Sequence, residues 1–359
     1  MRLRNNLRTV LGLLLLGWSL NSCLDEIPIE LEEQPESGLV LQGQIVQGTP
    51  VSQVRVEILE LFQFGNNVNR AVSNATVRIV KEGGESRLVP QQDLSGNYAV
   101  DLTQTDFPVA PGDRFRLEVS TSDTDDLIVS DWDELQETPQ ATALTWATTE
   151  VETVGAQDMV RLVPGIAFFI STPMRYSNGT PAKLRWKFID AYRIVDDGLQ
   201  TCYVENQYQA NRVFLQDGAL LAEAELTNFP LFAASIGIRH IDGYYLSVYQ
   251  QSLSPASFQY WSDVQRLNER EGTIFDNPAG SIGTNWVNQT DSTRIVHGFF
   301  SAVAQDVIRV FVSREDMGGL PYYCPLPPPN GFAPAPTVCD DCLLYGGTGS
   351  SLNKPHYWP

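Results

Sequence analysis

Cysteine carries most of the chemistry that residue type and spacing can suggest in this chain of 359 residues. Cys339-Asp340-Asp341-Cys342 has the CxxC spacing of a dithiol redox centre or of half a zinc site, because two intervening residues let both sulfurs face one ion or each other. A zinc site needs a second pair or histidines in ligand spacing. There is no second CxxC, and His240, His297 and His356 are scattered. Cys202, Cys324, Cys339 and Cys342 form an even set and read as structural disulfide candidates, with three connectivities open. Neither a metal nor a cofactor is expected.

Carboxylates come next. Asp196-Asp197 could serve a glycosidase only if the fold set two carboxyls about 5 Å or about 6.5–9.5 Å apart, which sequence does not determine. Asp123, Asp125 and Glu134 occupy positions one, three and twelve of a would-be calcium loop. Leu127 and Ile128 stand at the fifth position and at the glycine position, so that reading fails. Gly280-Ser281-Ile282-Gly283 has the wrong spacing for a nucleophile elbow. HExxH, P-loop and dinucleotide-binding fingerprints are all missing from the sequence. No catalytic residue is assigned, and an enzyme is not expected.

Cys23 stands apart from the other four. Arg2, Arg4 and Arg8 form a basic head, and Val10 to Trp18 form an apolar run far short of the ~20 residues that span a membrane. That is the length of a signal peptide. It ends in Leu20-Asn21-Ser22-Cys23, which resembles a bacterial lipobox, so residues 1–22 are expected to be removed and Cys23 to carry a lipid as the new N-terminus. Residues 23–37, with Asp25, Glu26, Glu30, Glu32, Glu33 and Glu36, follow as an acidic, extended tether. Such a run after a lipidated cysteine also resembles the export signal of Bacteroidetes surface lipoproteins. Export to an oxidising compartment is what favours disulfides for the remaining four cysteines.

The formal net charge is -19, and loss of the three leader arginines takes it to -22. Nucleic acid and anionic lipid headgroups are therefore poor partners.

The elements that must position these residues are mostly strands. Over residues 38–145, Tyr98, Val100 and Leu102 alternate with polar neighbours, as do Phe115, Leu117 and Val119. Val54, Val56 and Ile58 alternate too, and the phase slip at Leu59 and Leu61 suggests a β-bulge. Gly83-Gly84, Ser95-Gly96-Asn97 and Pro111-Gly112-Asp113 supply turns. About seven strands in this length predict an immunoglobulin-like β-sandwich. Residues 146–320 predict a second, larger β-rich domain, in which Leu184, Trp186 and Phe188 alternate and Val307 to Val312 form a buried strand. One helix is expected at 255–271, with Ser254 as N-cap, Pro255 at the first position and a core-facing stripe of Phe258, Trp261, Val264 and Leu267. Residues 321–359 are too rich in proline for strand pairing and read as a tail clipped on by disulfide. The fold class is mainly β.

Three stretches, taken in order, point to a family. "YYLSVYQQSLSPASFQYWSDVQRLNEREGTIFDNPAGSIGTN", "IVHGFFSAV" and "CDDCLLYGGTGSSLNKPHYW" resemble a family of Bacteroidetes outer-membrane lipoproteins classed as a domain of unknown function. The lipobox and the opening "LVLQGQIV" through "NATVRIV" to "GNYAV" agree with it. Leu343, where a basic residue is usual, and Gly283-Thr284-Asn285 depart from its pattern. The resemblance implies an outer-membrane lipid anchor, a surface-facing location and a partnership with a TonB-dependent receptor barrel, as accessory or substrate-capture module. A structural or adhesion-type interaction protein, and a hydrolase with an unrecognised site, are the alternatives.

Overall fold

Alternation becomes burial almost residue for residue. In the stretch Arg114–Ser120, Phe115, Leu117 and Val119 are fully buried while their neighbours are partly exposed, as a strand with one face on a core requires. The computed structural model describes residues 38–48, 51–60, 70–103, 105–122, 125–154, 159–196, 198–269, 282–318, 337–345 and 349–359. All of them belong to one compact unit, Ser37–Pro359.

The early strands are β1 (Leu39–Gly48), β2 (Gln53–Glu60), β3 (Arg70–Ala71), β4 (Thr76–Lys81), β5 (Ser86–Val89), β6 (Asn97–Asp101), β7 (Arg114–Ser120), β8 (Leu127–Ser130) and β9 (Asp133–Glu134). The middle ones are β10 (Ala143–Val154), β11 (Val160–Pro173), β12 (Lys183–Val195), β13 (Thr201–Tyr208), β14 (Phe214–Asp217), β15 (Glu225–Ser235) and β16 (Tyr244–Ser252). After helix α1 (Pro255–Asn268) come β17 (Trp286–Asn288), β18 (Val296–His297), β19 (Phe300–Val312) and β20 (Ser350–Ser351). The chain is mainly β, as expected.

The large sheet runs β20-β13-β12-β16-β19-β1-β2-β3, with β14, β18 and β6 pairing at its sides. Its hinge of connectivity is β1 against β19, a parallel pairing that sets Gly43 opposite Phe300 and Gly48 opposite Gln305. A second sheet runs β17-β8-β7-β4-β5, with β9 on β7, and a third runs β10-β11-β15. Two cores result. One lies between the large sheet's Leu41, Ile45, Val54 and Ile58 and the second sheet's Ile79, Phe115, Leu117 and Val119. The other joins Phe188, Leu246 and Val248 to Ile166, Phe168 and Ile170 of the third sheet. At Gly43 the first two sheets meet so closely that a Cβ would sit 2.5 Å from Leu117.

Residues from beyond the boundary expected near 145 close the first core. Trp286, Val296, Phe300, Ala302 and Ala304 belong to it, β17 pairs with β8, and β18 and β19 pair with β1. Residues 38–145 thus supply strands to two facing sheets without completing either. The bulge expected at Leu59 is absent, because the β1–β2 register is unbroken through Glu60 and Leu59 simply faces away from the core; Leu61 lies outside the described residues. Gly96 makes its turn at φ 81°, where a Cβ would strike the Ile58 carbonyl oxygen at 2.3 Å.

Helix α1 begins as its sequence predicts. The Ser254 hydroxyl accepts from the Ser257 N–H, and Pro255 occupies the first turn. Ser257 in turn donates to Asp133 at 2.8 Å, and the same carboxylate oxygen accepts the Ala302 N–H at 2.8 Å. One buried carboxylate thereby ties α1, β9 and β19 together. Burial raises the Asp133 pKa, opposed by its bonds to Ser254, Ala302 and Ser257. β19 is longer than the strand expected at Val307–Val312, and from Gln305 to Phe311 it is only partly buried.

The C-terminal residues pack down rather than fray. β20 pairs with β13, and Trp358 meets Tyr203, Tyr245 and Phe311 with ring centres 5.3, 5.4 and 5.8 Å apart. The proline-rich part of this tail lies outside the described residues.

Candidate functional site: a cationic cleft on the polar face of the large sheet

The alternation that buries Leu184, Trp186 and Phe188 aims Arg185 and Lys187 at the opposite face of the same sheet. Register extends that face across four more strands. Arg185 stands opposite Gln251 and Gln251 opposite Gln305; Gln44 stands opposite Arg55 and Ser301. The result is a polar surface with cations and amides on neighbouring strands. Helix α1 lies over part of it: the Arg185 guanidinium carbon sits 3.3 Å above the Trp261 ring centre, and the Lys183 ammonium 4.7 Å from that of Phe258.

A cleft of about 520 Å³ opens beside the helix, walled by Arg55, Arg185, Lys187, Gln44, Gln53 and Trp261. A second hollow of about 400 Å³ shares Gln44, Gln53, Arg55 and Lys187 with it and adds Tyr249 and Gln251. Both volumes lie in the range of small-molecule sites, roughly 300–1,000 Å³.

The electrostatics are lopsided. Arg185 is only 8% exposed, yet neither its side chain nor that of Lys187 has a hydrogen bond or ion pair among the described residues. Among the described residues, the Arg55 side chain donates only to the Gln53 amide oxygen, at 3.1 Å. Burial, then the charges of Arg185 and Arg55, push the Lys187 ammonium down to about 8. Burial pushes the Arg185 guanidinium down to about 9, against the opposing influence of Tyr260, and it stays protonated at neutral pH. Glu57 and Asp93 line the β2–β6 edge of the cleft. Asp93 is occupied with the Asn97 amide and the Ser95 N–H, which hold its carboxyl below the usual range. Two further polar atoms nearby are buried without partners, the Trp261 indole N–H and the Gln251 amide oxygen; the Gln251 amide nitrogen donates to Gln305 at 2.9 Å.

Among the described residues, no serine, cysteine or histidine lines either hollow. Cations, amide groups and an aromatic plane can hold and orient a ligand, and an anion would fit them best.

The residues singled out by sequence lie elsewhere. Cys202 and Cys342 are bonded, with Cα atoms 5.8 Å apart. Cys339 is also in a disulfide, and all three are buried. Because the Cys342 sulfur is taken by Cys202, the CxxC does not bridge itself and the redox reading falls. Cys23 and Cys324 lie outside the described residues. Asp196 is structural: its carboxylate accepts the Gln200 N–H at 2.8 Å and the Cys342 N–H at 3.5 Å. Asp197 and Asp123 lie outside the described residues, among which no three His, Cys, Asp or Glu side chains gather for a metal. The cleft residues went unassigned in the sequence, although Leu-Arg-Trp-Lys-Phe, with two cations inside an apolar alternation, is a signal that could have marked them.

The model of a family described as a domain of unknown function, DUF4249, matches residues 24–309. The chain belongs to DUF4249. No curated protein matches it. Every cleft residue, from Gln42 to Gln305, falls within the DUF4249 region, as does Cys202. Cys342 does not, so the disulfide fastens the segment beyond that region onto β13.

Proposed function

We propose that this chain is a lipid-anchored protein of a Bacteroidetes outer membrane, surface-facing, that captures a ligand as the non-enzymatic partner of a TonB-dependent transporter. The observation that carries the capture part is the cleft, whose polar groups face a volume large enough for a metabolite. The anchor rests on the lipobox at Cys23, and the acidic run to residue 37 would reach about 50 Å if extended. The transporter rests on the family resemblance alone.

Gentle extraction of membranes tests the partnership. A barrel recovered with the lipoprotein in fixed ratio supports it, and a lipoprotein recovered alone counts against it. Cys23→Ala should move the protein to the soluble fraction; a variant still extracted only by detergent would remove the anchor. Protease added to intact cells should cut the chain, and full protection would sink the surface location.

One observation favours the reading as an interaction protein. At the far end of the β10–β11 hairpin Val154, Met159, Val160 and Leu162 are 61–69% exposed, an unusual concentration for a soluble surface. If adhesion dominates, charge placed there by Val160→Lys and Leu162→Lys should abolish partner recovery while ligand binding persists.

A further inference from the structure

We propose that the cleft bounded by Arg185, Lys187 and Arg55 binds a small oxyanion with two or more negative charges, carboxylate or phosphate, on an oxygen-rich body. This deepens the capture reading and rests on it for its biological use, but the binding itself can be tested apart from any transporter.

Three observations converge. First, the two cations on β12 form no ion pair among the described residues, although Glu57 and Asp93 line the β2–β6 edge of the cleft. Arg185 and Lys187 make no protein hydrogen bond or ion pair among the described residues, although an acidic protein with a net charge of -19 has carboxylates to spare. A buried charge without a partner is costly, and breaking up such a cluster normally relieves it. An anion in the cleft can accept from N–H donors of both Arg185 and Lys187, which no described protein group meets.

Second, the donors are held in place. The guanidinium carbon sits 3.3 Å above the Trp261 ring centre, so its planar fork can meet a carboxylate or phosphate with little ordering left to do. Lys187, two residues along β12, supplies a point charge beside it, and Arg55 closes the site from β2. Gln44, Gln53 and Asn97 bring amides that can donate to and accept from hydroxyl groups.

Third, size and charge select the ligand. A cleft of about 520 Å³ is far larger than a halide needs. The excess negative charge of the molecule repels a long polyanion, but charges elsewhere on the surface do not govern a small one inside the cleft, because exposed charges more than about 8 Å away are largely screened at physiological ionic strength. Of the carboxylates that line the cleft, Asp93 is engaged with Asn97 and Ser95, which leaves Glu57 against Arg55, Arg185 and Lys187.

The test is titration calorimetry on the mature chain from Cys23, with citrate as the carboxylate probe, pyrophosphate as the phosphate probe and maltose as the neutral one. Citrate or pyrophosphate should bind and maltose should not; whichever of the two binds tighter names the headgroup. Trp261→Phe should remove the change in tryptophan fluorescence that accompanies binding. Arg185→Met should weaken binding ~100-fold, as expected for truncating one partner of a buried charge pair, and should raise the melting temperature of the ligand-free protein. Arg55 is exposed, so Arg55→Gln should cost only ~3-fold and should not disturb folding. A lowered melting temperature for Arg185→Met would mark that residue as structural and overturn its role. Absence of binding by both anions at millimolar concentration, equal binding of maltose, or unchanged affinity in both variants would overturn the site. Recovery of a barrel with a chain that binds neither anion would leave the transporter partnership standing and remove this inference alone.

Discussion

Arg185 and His240 are both buried side chains capable of charge, and the fold treats them in opposite ways. Arg185 keeps its charge at the edge of a cleft, whereas His240, 4% exposed, is kept neutral. Its Nδ1 accepts the Gly237 N–H at 3.2 Å, and its ring centre lies 4.6 Å from that of Tyr244. Burial, with the nearby Arg239 charge, pushes its pKa down to about 4. Below the ordinary histidine value of 6.5 the unfolded chain takes up a proton that the folded chain refuses. Stability is therefore complete above that value and is lost as pH falls from 6.5 towards 4, by an amount on the order of 3 kcal/mol. Urea denaturation at pH 7 and pH 4.5 should show this loss, and His240→Asn, which keeps an acceptor but cannot be protonated, should lose correspondingly less. Equal losses in both proteins would contradict it.

At the scale of elements, two joints hold strands that are far apart in sequence. Asp133 binds Ser257 and Ala302 with one oxygen. Asp133→Ala strands a hydroxyl and a backbone N–H, each worth ~1–3 kcal/mol when buried and unpaired. Its denaturation midpoint should fall accordingly, and a variant as stable as the parent would show that water replaces the carboxylate. The second joint is the Cys202–Cys342 bond, which spans 140 residues. Replacing both cysteines with serine should cost roughly 2–5 kcal/mol. Limited proteolysis should then release the C-terminal segment, and a variant that resists both heat and protease would deny the bond its clip role. Strand alternation, the start of α1 and the turns at Gly96 and Gly112 were legible from sequence, since each depends on neighbours within a few residues. The pairing of Cys202 with Cys342 was not, because three connectivities satisfied the same spacing.

At the scale of the whole molecule, the parallel pairing of β1 with β19 matters most. Gln44 and Ser301, 257 residues apart, are hydrogen-bonded neighbours. A fragment of residues 38–145 lacks Trp286, Phe300 and Ala302 from its core and should not melt cooperatively by circular dichroism. A sharp melting transition in that fragment would show that it closes its own sandwich after all. Addition of residues 282–318 within one chain should be part of what restores folding.

The sequence by itself determined the strand content, the face of each strand that would be apolar, the helix start and the acidic charge, because these follow from period and residue type within one segment. The alternation of Leu184, Trp186 and Phe188 leaves Arg185 and Lys187 off the core without marking them, since a polar strand face ordinarily meets water and attracts no attention. Only the tertiary structure decided that this face would be partly covered. Helix α1 lies across one side, and the β1–β19 pairing brings Arg55 and Gln44 to the other, enclosing the cations. Enclosure depends on contacts between segments more than a hundred residues apart. Local pattern carries no record of them, and it is enclosure that turns two ordinary surface charges into a binding cleft.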